Sequence, residues 1–584
     1  MRDWLADRAA ATPGALALID TETDTQWSYS GLNAAVDETA GRLAALGVAA
    51  GDQVGMLTTT RFKSVCLVHA AQRLGVQLVP LNTRLTSGEL AAQLDQVDLT
   101  LLVCDAETER FAKRASESTA DTARMPIASV DDPESATIKS FREVDPDSIE
   151  SVDWAFDDPQ LIVFTSGTTG SPKAVVLTMG NLLASAVASG FRLGIDPNDR
   201  WLVTLGLYHV GGLAPLFRST LYGTAVVLRS SFDPGPTADD IGRYDVTVAS
   251  LVPTMLSAML DRRGTLSDSL RAVLLGGAPA PASLIERCRN YSVRVYPTYG
   301  MTEAASQIAT ARPETAFSQP ASVGRPLLWT DLTLIDDTGE PVDSGESGEI
   351  VIDGPTVSPG YYNTPEATAA ARCEYGFRTG DVGSFTELGL LVVHNRLDDR
   401  ILTGGENVDP GEVRDVIRTH PAVVEAAVVG LADETWGQRV AAFVVPTDSG
   451  CSVAEFDAHC RERLAGYKLP RTIAFGDALP RTASGTIDRD AVRQRLKADG
   501  VATSGADRAP SGDDEIAGRD TAVDDVDTGR DADAGRDADS NTDGSAVPSS
   551  SVGRQRPPVA TDETPATEEG SGTNTKRDDD DPPA

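Results

Sequence analysis

A nine-residue stretch, Thr165-Ser166-Gly167-Thr168-Thr169-Gly170-Ser171-Pro172-Lys173, stands between two apolar runs, Leu161-Ile162-Val163-Phe164 and Ala174-Val175-Val176-Leu177. Short apolar runs rich in β-branched residues and bounded by glycine read as buried strands. The chain therefore passes from one strand to the next through a loop of hydroxyls, glycines and a terminal lysine. Glycine lets backbone N–H groups turn toward one point, and such a concavity holds anions. Two readings fit, a phosphate cradle or a polar hairpin loop without a ligand. A Walker A loop is excluded, because that motif has Gly directly before Lys and Ser or Thr after it. Here Pro172 precedes Lys173 and Ala174 follows.

The flanking chain alternates. Leu32 to Leu46 and Ser64 to Leu74 are helix-like, whereas Gln53 to Leu57 and Val76 to Leu81 are strand-like. Further strand candidates are Trp201 to Leu205, Ala225 to Leu228, Val246 to Ala249 and Arg271 to Leu275. This alternation predicts an α/β fold with a largely parallel sheet. The segment 105–158 reads as polar and irregular. Ligands of open α/β sheets sit at the carboxyl ends of strands. One such end runs into Gly276-Gly277-Ala278-Pro279, although a turn alone explains those glycines. Another, after Val293 to Pro297, runs into Thr298-Tyr299-Gly300-Met301-Thr302-Glu303. Glu303 offers a carboxylate of the kind that holds Mg²⁺ beside substrate phosphates. Thr302 and Glu303 equally suit the capped start of a helix.

Taken with the first loop, Tyr299-Gly300-Met301-Thr302-Glu303 resembles the adenylate-forming superfamily of acyl-CoA and aryl-CoA ligases, luciferases and peptide-synthetase adenylation domains. Ala174 stands where the usual form has glycine. The resemblance continues through Gly348-Glu349-Ile350, Gly360-Tyr361-Tyr362, Arg378-Thr379-Gly380-Asp381, Asn395-Arg396-Leu397-Asp398-Asp399 and Gly404-Gly405-Glu406-Asn407-Val408. It implies a large AMP-binding domain over 1–397, a hinge at Asp398 and a small mobile α+β domain over 398–500. Two capping boxes, at Asp409 to Glu412 and Ser452 to Glu455, and strands at Val423 to Val429 and Arg439 to Val445 suit that small domain.

The resemblance also implies the chemistry. A carboxylic acid attacks the α-phosphate of ATP, and the thiol of coenzyme A then displaces AMP. Thr165, Ser166, Gly167, Thr168, Thr169, Gly170 and Lys173 would face the outer phosphates, Thr302 the α-phosphate and Glu303 the Mg²⁺. Asp381 and Arg396 would hold the ribose, and Gly276, Gly277, Ala278, Pro279 and Tyr299 would border the adenine. One departure stands out: Thr486, in Ala483-Ser484-Gly485-Thr486-Ile487, occupies the position of a lysine that in the family bridges the substrate carboxylate and the α-phosphate. Arg489 or Lys468 is a candidate replacement.

His209, Gly212, Arg218, Ser306 and Gln307 are the candidate acyl pocket. His209 is expected as a packed floor residue, and Arg218 either as partner of a second substrate carboxylate or as a surface ion-pair residue. Residues 276–281 and 299–308 look most like the o-succinylbenzoate–CoA ligases of menaquinone synthesis. Another aryl or medium-chain acyl-CoA ligase is the alternative, and Thr486 also admits an inactive nucleotide-binding homologue.

Charge narrows the partners. The 584 residues carry a formal net charge of −36, with −13 on the last 84 residues and −23 on the first 500. That balance disfavours nucleic acid and anionic membranes. Of the 51 basic residues, Lys63, Lys113, Lys139, Lys173, Lys468, Lys497 and Lys576 are the only lysines. An acidic, lysine-poor composition resembles that of cytoplasmic proteins from salt-accumulating cells, where concentrated salt screens self-repulsion. The six cysteines lack CxxC spacing, which suits a reducing cytoplasm without metal or disulfide frameworks. Residues 501–584, rich in Asp, Gly, Ser, Thr, Pro and Ala, are expected to form a disordered acidic tail.

Overall fold

The computed structural model describes residues 1–503 except 120–124, 151, 166–171, 344, 400, 404–405, 409, 434–435, 448–449, 451, 465 and 483–486; at 395, 398, 406 and 407 it describes the backbone alone. The expected α/β architecture is present as two large sheets. The first has nine strands in the order Arg325–Pro326, Ser306–Thr310, Val295–Met301, Ala272–Leu275, Val248–Leu251, Arg200–Val203, Ala225–Leu228, Leu16–Asp20 and Thr25–Ser28. Its inner strands, from Val295–Met301 to Leu16–Asp20, pair in parallel. Their runs, such as Val248–Leu251 and Ala272–Leu275, are buried at every position. Strands covered on both faces read as unbroken apolar runs, which is why they were legible.

The second sheet has eight strands, ordered Gly360–Tyr361, Lys173–Thr178, Pro159–Thr165, Gln77–Pro80, Gln53–Leu57, Leu99–Cys104, Ile127–Ser129 and Lys139–Ser140. Pro159–Thr165 and Lys173–Thr178 pair antiparallel, with Thr165 opposite Lys173, so both ends of the glycine-rich loop start from one ladder rung. Helix Met179–Leu193 follows at once. A reciprocal cap fixes its start, with the Thr178 hydroxyl accepting from the Asn181 N–H and Asn181 Oδ1 accepting from the Thr178 N–H. One hydrophobic cluster joins both sheets through helices, with Val54 and Val163 from one sheet, Val203 and Val226 from the other, and Val36, Val68, Leu182 and Phe217 between.

Three expectations need correction. Within 105–158 lies a helix, Glu109–Ser118, followed by strands Ile127–Ser129 and Lys139–Ser140. Its buried residues are Glu109, Ala112 and Ala115, and the small apolar area of the two alanines is hidden among charged neighbours. The strand read at 246–249 is Val248–Leu251, because the Val246 N–H is taken by Ile241 O at the end of the preceding helix. The expected tail does not begin at 501: Val501–Ala502 pairs antiparallel with Thr472–Phe475, and the Thr503 hydroxyl donates to Pro470 O.

Two smaller sheets complete the described chain. Asp331–Ile335, Ser347–Asp353, Gly376–Phe385, Arg372–Cys373 and Leu391–Arg396 form an antiparallel sheet that the alternation gave no sign of. The last sheet spans Ile401–Thr403 to Val501–Ala502 and is built on the hairpin Val423–Asp433 with Gly437–Pro446, longer than the two strands expected there. The Ser452–Glu455 capping box is present, and Pro410 opens helix Pro410–Arg418, while Asp409 lies outside the described residues. No described helix is long and apolar enough to cross a membrane.

Candidate active site

Strand ends from two sheets meet at one cleft. Val295–Met301 delivers Tyr299 and, just beyond its end, Thr302 and Glu303 in a short 3₁₀ turn, Thr302–Ala304. The chain then doubles back into Ser306–Thr310, and this return is tight enough that a Cβ on Gly300 would run into the Ser306 carbonyl. Gly376–Phe385 and Leu391–Arg396 bring Asp381 and Arg396 opposite each other in antiparallel register. The cleft, of about 370 Å³, is lined by Gly277, Ala278, Pro279, Tyr299, Asp381 and Arg396. From the C-terminal sheet region, Arg414, Ile487 and Arg489 line the same space.

Its electrostatics follow from burial. The Tyr299 hydroxyl donates to Asp381 Oδ2 at 2.6 Å, and Arg396 Nε lies 3.5 Å from Asp381 Oδ1. Burial pushes the Asp381 carboxyl up, and the charge of Arg396 and the Tyr299 hydrogen bond only partly oppose it. Glu303 is 7% exposed and accepts a 2.9 Å hydrogen bond from the Tyr361 hydroxyl. Burial raises its pKa as well, against its hydrogen bonds and the cations Arg396 and Lys173. Lys173 is half-buried, with Nζ 4.9 Å from the centre of the Tyr361 ring.

The expected acyl-pocket residues divide. Arg218 is 1% exposed, which overturns the surface ion-pair alternative. Its Nη2 donates to Ser306 Oγ at 3.2 Å, and the guanidinium stands 5.3 Å from the centre of the Trp201 ring. Gln307 is buried, with Nε2 donating to Thr310 Oγ1 and Oε1 left without a partner. Gly212 serves packing, since a Cβ there would strike the Gly206 carbonyl. His209 was expected as a packed floor residue, but its surface is open to solvent. The protein around it still lowers its pKa, by desolvation first and the charge of Arg84 second, as on the wall of a hollow.

Of the remaining expected residues, Thr165 is half-buried beside Lys173, and Gly276 packs against Thr298. Ser166, Gly167, Thr168, Thr169, Gly170 and Thr486 lie outside the described residues, as does the Asp398 side chain. The two candidate replacements for the missing lysine differ. Lys468 pairs with both carboxylate oxygens of Glu412 at 2.7 Å and is not among the cleft-lining residues. Arg489 lines the cleft, 2.7 Å from Asp399 Oδ2.

The family pattern of the AMP-binding enzyme matches residues 5–362, and that of the AMP-binding enzyme C-terminal domain matches 412–486. The chain belongs to the AMP-binding enzyme family.

Relatives of this AMP-binding enzyme include the 2-succinylbenzoate–CoA ligase of Geobacillus kaustophilus, 40% identical over 500 residues that make up 85% of this chain and 97% of that protein. The 2-succinylbenzoate–CoA ligase of Bacillus licheniformis is 39% identical over 490 residues, 83% of this chain and 98% of its own. Among solved structures, the o-succinylbenzoate CoA synthetase of Bacillus subtilis in complex with the acyl-adenylate intermediate OSB-AMP matches with a TM-score of 0.76 at 37% identity, covering 84% of this chain and 98% of that one. The same synthetase with ATP and magnesium ion matches with a TM-score of 0.75 at 36% identity, over 85% and 99% of the two chains.

The donor set of this AMP-binding enzyme suits magnesium carried by a nucleotide. Among the described residues no three His, Cys, Asp or Glu side chains converge on a metal-sized space. A single buried carboxylate, Glu303, matches an ion that takes its other ligands from phosphates and water. Reading the sequence named the Gly360-Tyr361-Tyr362 motif without giving Tyr361 a role, and it missed Arg414. Tyr361 contacts residues 58 and 188 positions away, Glu303 and Lys173, for which local sequence carries no signal.

Proposed function

We propose that this AMP-binding enzyme is an ATP-dependent 2-succinylbenzoate–CoA ligase. The relatives named above support the reaction class, and Arg218 carries the choice of acid. A buried cation without a counter-ion costs several kcal/mol. Among the described residues no carboxylate pairs with Arg218, and its Nε has no hydrogen-bond partner. Burial lowers its pKa to about 10, so it stays cationic at neutral pH. A substrate with a second carboxylate supplies the missing charge.

In the first half-reaction the reacting carboxylate is already ionised at neutral pH, so no general base is needed. Its oxygen attacks the α-phosphorus while the bond to pyrophosphate breaks, and pyrophosphate leaves with the electron pair. What the protein contributes is position and charge. Lys173 and the loop of Thr165, Ser166, Gly167, Thr168, Thr169 and Gly170 hold the outer phosphates, and Thr302 orients the α-phosphate. Asp381 and Arg396 fasten the ribose, with Gly276 to Pro279 and Tyr299 around the adenine. Mg²⁺ bound at Glu303 would supply further neutralisation of phosphate charge. In the second half-reaction the sulfur of coenzyme A attacks the acyl carbon, and the bond to AMP breaks. Residues 398 onward turn about Asp398 between the two steps. The acidic, lysine-poor composition supports a cytoplasmic enzyme that works in concentrated salt.

Thr486 favours a second reading, a homologue that binds nucleotide without turning it over. Mass detection of products separates the readings after the protein is mixed with 2-succinylbenzoate, ATP, Mg²⁺ and coenzyme A in concentrated potassium chloride. The succinylbenzoyl thioester is the expected product. Thioesters only from other aryl or medium-chain acids would remove the substrate assignment, and ATP binding without any product would favour the inactive homologue.

A further inference from the structure

The segment Ser358 to Tyr362 is stitched to both charged sides of the phosphate site. On one side, Gly360–Tyr361 pairs antiparallel with the strand that begins at Lys173, Tyr361 opposite Val175. The Ser358 hydroxyl donates to Val176 O at 2.6 Å, and the Tyr362 N–H donates to Ala174 O at 2.8 Å. On the other side, the Ser358 N–H donates to Glu303 O at 2.7 Å, and the Tyr361 hydroxyl to Glu303 Oε1 at 2.9 Å. Lys173 Nζ stands over the Tyr361 ring. The ring itself is held by an edge-on contact with Phe377, centroids 6.2 Å apart, and the Tyr361 N–H donates to Thr368 Oγ1. One side chain thus touches the carboxylate with its hydroxyl and the ammonium with its face.

We infer that Tyr361 is the positioning residue that sets the Glu303 carboxylate and the Lys173 ammonium at a fixed separation, so that one nucleotide triphosphate and its magnesium meet both. This rests on the roles given to Glu303 and Lys173 above. Glu303 lies in the turn between two strands of the nine-stranded sheet and Lys173 opens a strand of the eight-stranded one, 130 residues apart in sequence. Without a shared contact each would keep its own rotamer freedom. With Oε1 committed to Tyr361, Oε2 is the oxygen that would be left for a metal. Groups that orient a metal-binding carboxylate typically control affinity by about 10- to 100-fold. The ring face adds a weaker, cation-directed restraint on Lys173.

The test uses the full chain in concentrated potassium chloride, with Mn²⁺ as a spectroscopic substitute for Mg²⁺ and a non-hydrolysable ATP analogue. Tyr361→Phe keeps the ring, the strand pairing and the Lys173 contact, and removes only the hydroxyl. Its Mn²⁺ affinity in the presence of the analogue, read by electron paramagnetic resonance, is expected to fall about tenfold. Analogue affinity without metal, melting temperature and the KM for the acid stay at wild-type values, while the KM for metal–ATP rises. Tyr361→Leu also removes the ring, so analogue binding without metal weakens too. Wild-type Mn²⁺ affinity in Tyr361→Phe would overturn the inference, and so would a loss that runs in parallel with a lower melting temperature and a higher KM for the acid. The ligase reading fails separately: a wild-type protein that binds Mn²⁺ and the analogue but forms no thioester leaves the Tyr361 assignment standing.

Discussion

Asp381 and Arg396 face each other across adjacent antiparallel strands, with Arg396 Nε 3.5 Å from Asp381 Oδ1. That separation exceeds a hydrogen bond, while Oδ2 is taken by Tyr299. Oδ1 is therefore the oxygen left for the ribose hydroxyl that Asp381 is proposed to hold. Asp381→Asn removes the charge and keeps the shape, so AMP affinity measured by calorimetry should fall about tenfold, the value of a hydrogen bond to a charged group. Unchanged affinity would show that the ribose is held elsewhere.

On the proposed reading, Arg218 is the residue that separates dicarboxylate from monocarboxylate substrates. Arg218→Ala should lower kcat/KM for 2-succinylbenzoate by about 100-fold or more, in line with truncating one partner of a buried charge pair. Turnover of an aryl acid with one carboxylate should change little. Equal losses on both acids would mean that Arg218 supports the pocket's packing and does not read the second carboxylate.

By the family resemblance Thr486 holds the place of a lysine that bridges the reacting groups, so on the proposed reading Thr486→Lys would restore a point charge there. If no other cation serves there, the rate of pyrophosphate release in a single turnover should rise by about 10²- to 10³-fold, the effect of one preorganised donor. No gain would show that another side chain already supplies the charge, and Arg489, which lines the cleft, is then the residue to replace next.

Asp199 gives the fold an acid-sensitive joint. Burial alone would raise its pKa, but hydrogen bonds from Arg271, the Asp196 N–H and Thr247 outweigh burial and hold the carboxyl below its ordinary value. In the acid range the unfolded chain then binds more protons than the folded one, so stability rises with pH there. The contribution is complete above the unfolded carboxylate value and is lost as pH falls through the folded one. Asp199→Asn should destabilise the protein at neutral pH by about 1–3 kcal/mol and flatten the acid limb of melting temperature against pH. A parallel shift at every pH would sink this assignment.

The net charge of −36 predicts a salt requirement. The screening length is about 3 Å at molar salt and about 10 Å at a tenth of that. Dilution from molar potassium chloride should therefore lower the melting temperature, with circular dichroism as the readout. A melting temperature independent of salt would count against adaptation to a salt-rich cytoplasm.

What the sequence determined by itself was local. Apolar runs at strand length placed the glycine-rich loop between Pro159–Thr165 and Lys173–Thr178, and the motifs of the family resemblance named Glu303, Asp381 and Arg396 as site candidates. Such features are written in neighbouring residues, because a turn or a buried strand constrains each position directly. Tertiary structure alone decided that Arg218 is buried without a carboxylate partner among the described residues and that Tyr361 contacts both Glu303 and Lys173. It also decided that Arg489 reaches the cleft while Lys468 is paired elsewhere. Each of these depends on which distant strands become neighbours and in what register, and burial of the whole core sets that arrangement. Charge and hydroxyl count in the sequence tell what a side chain can do; packing tells what it meets.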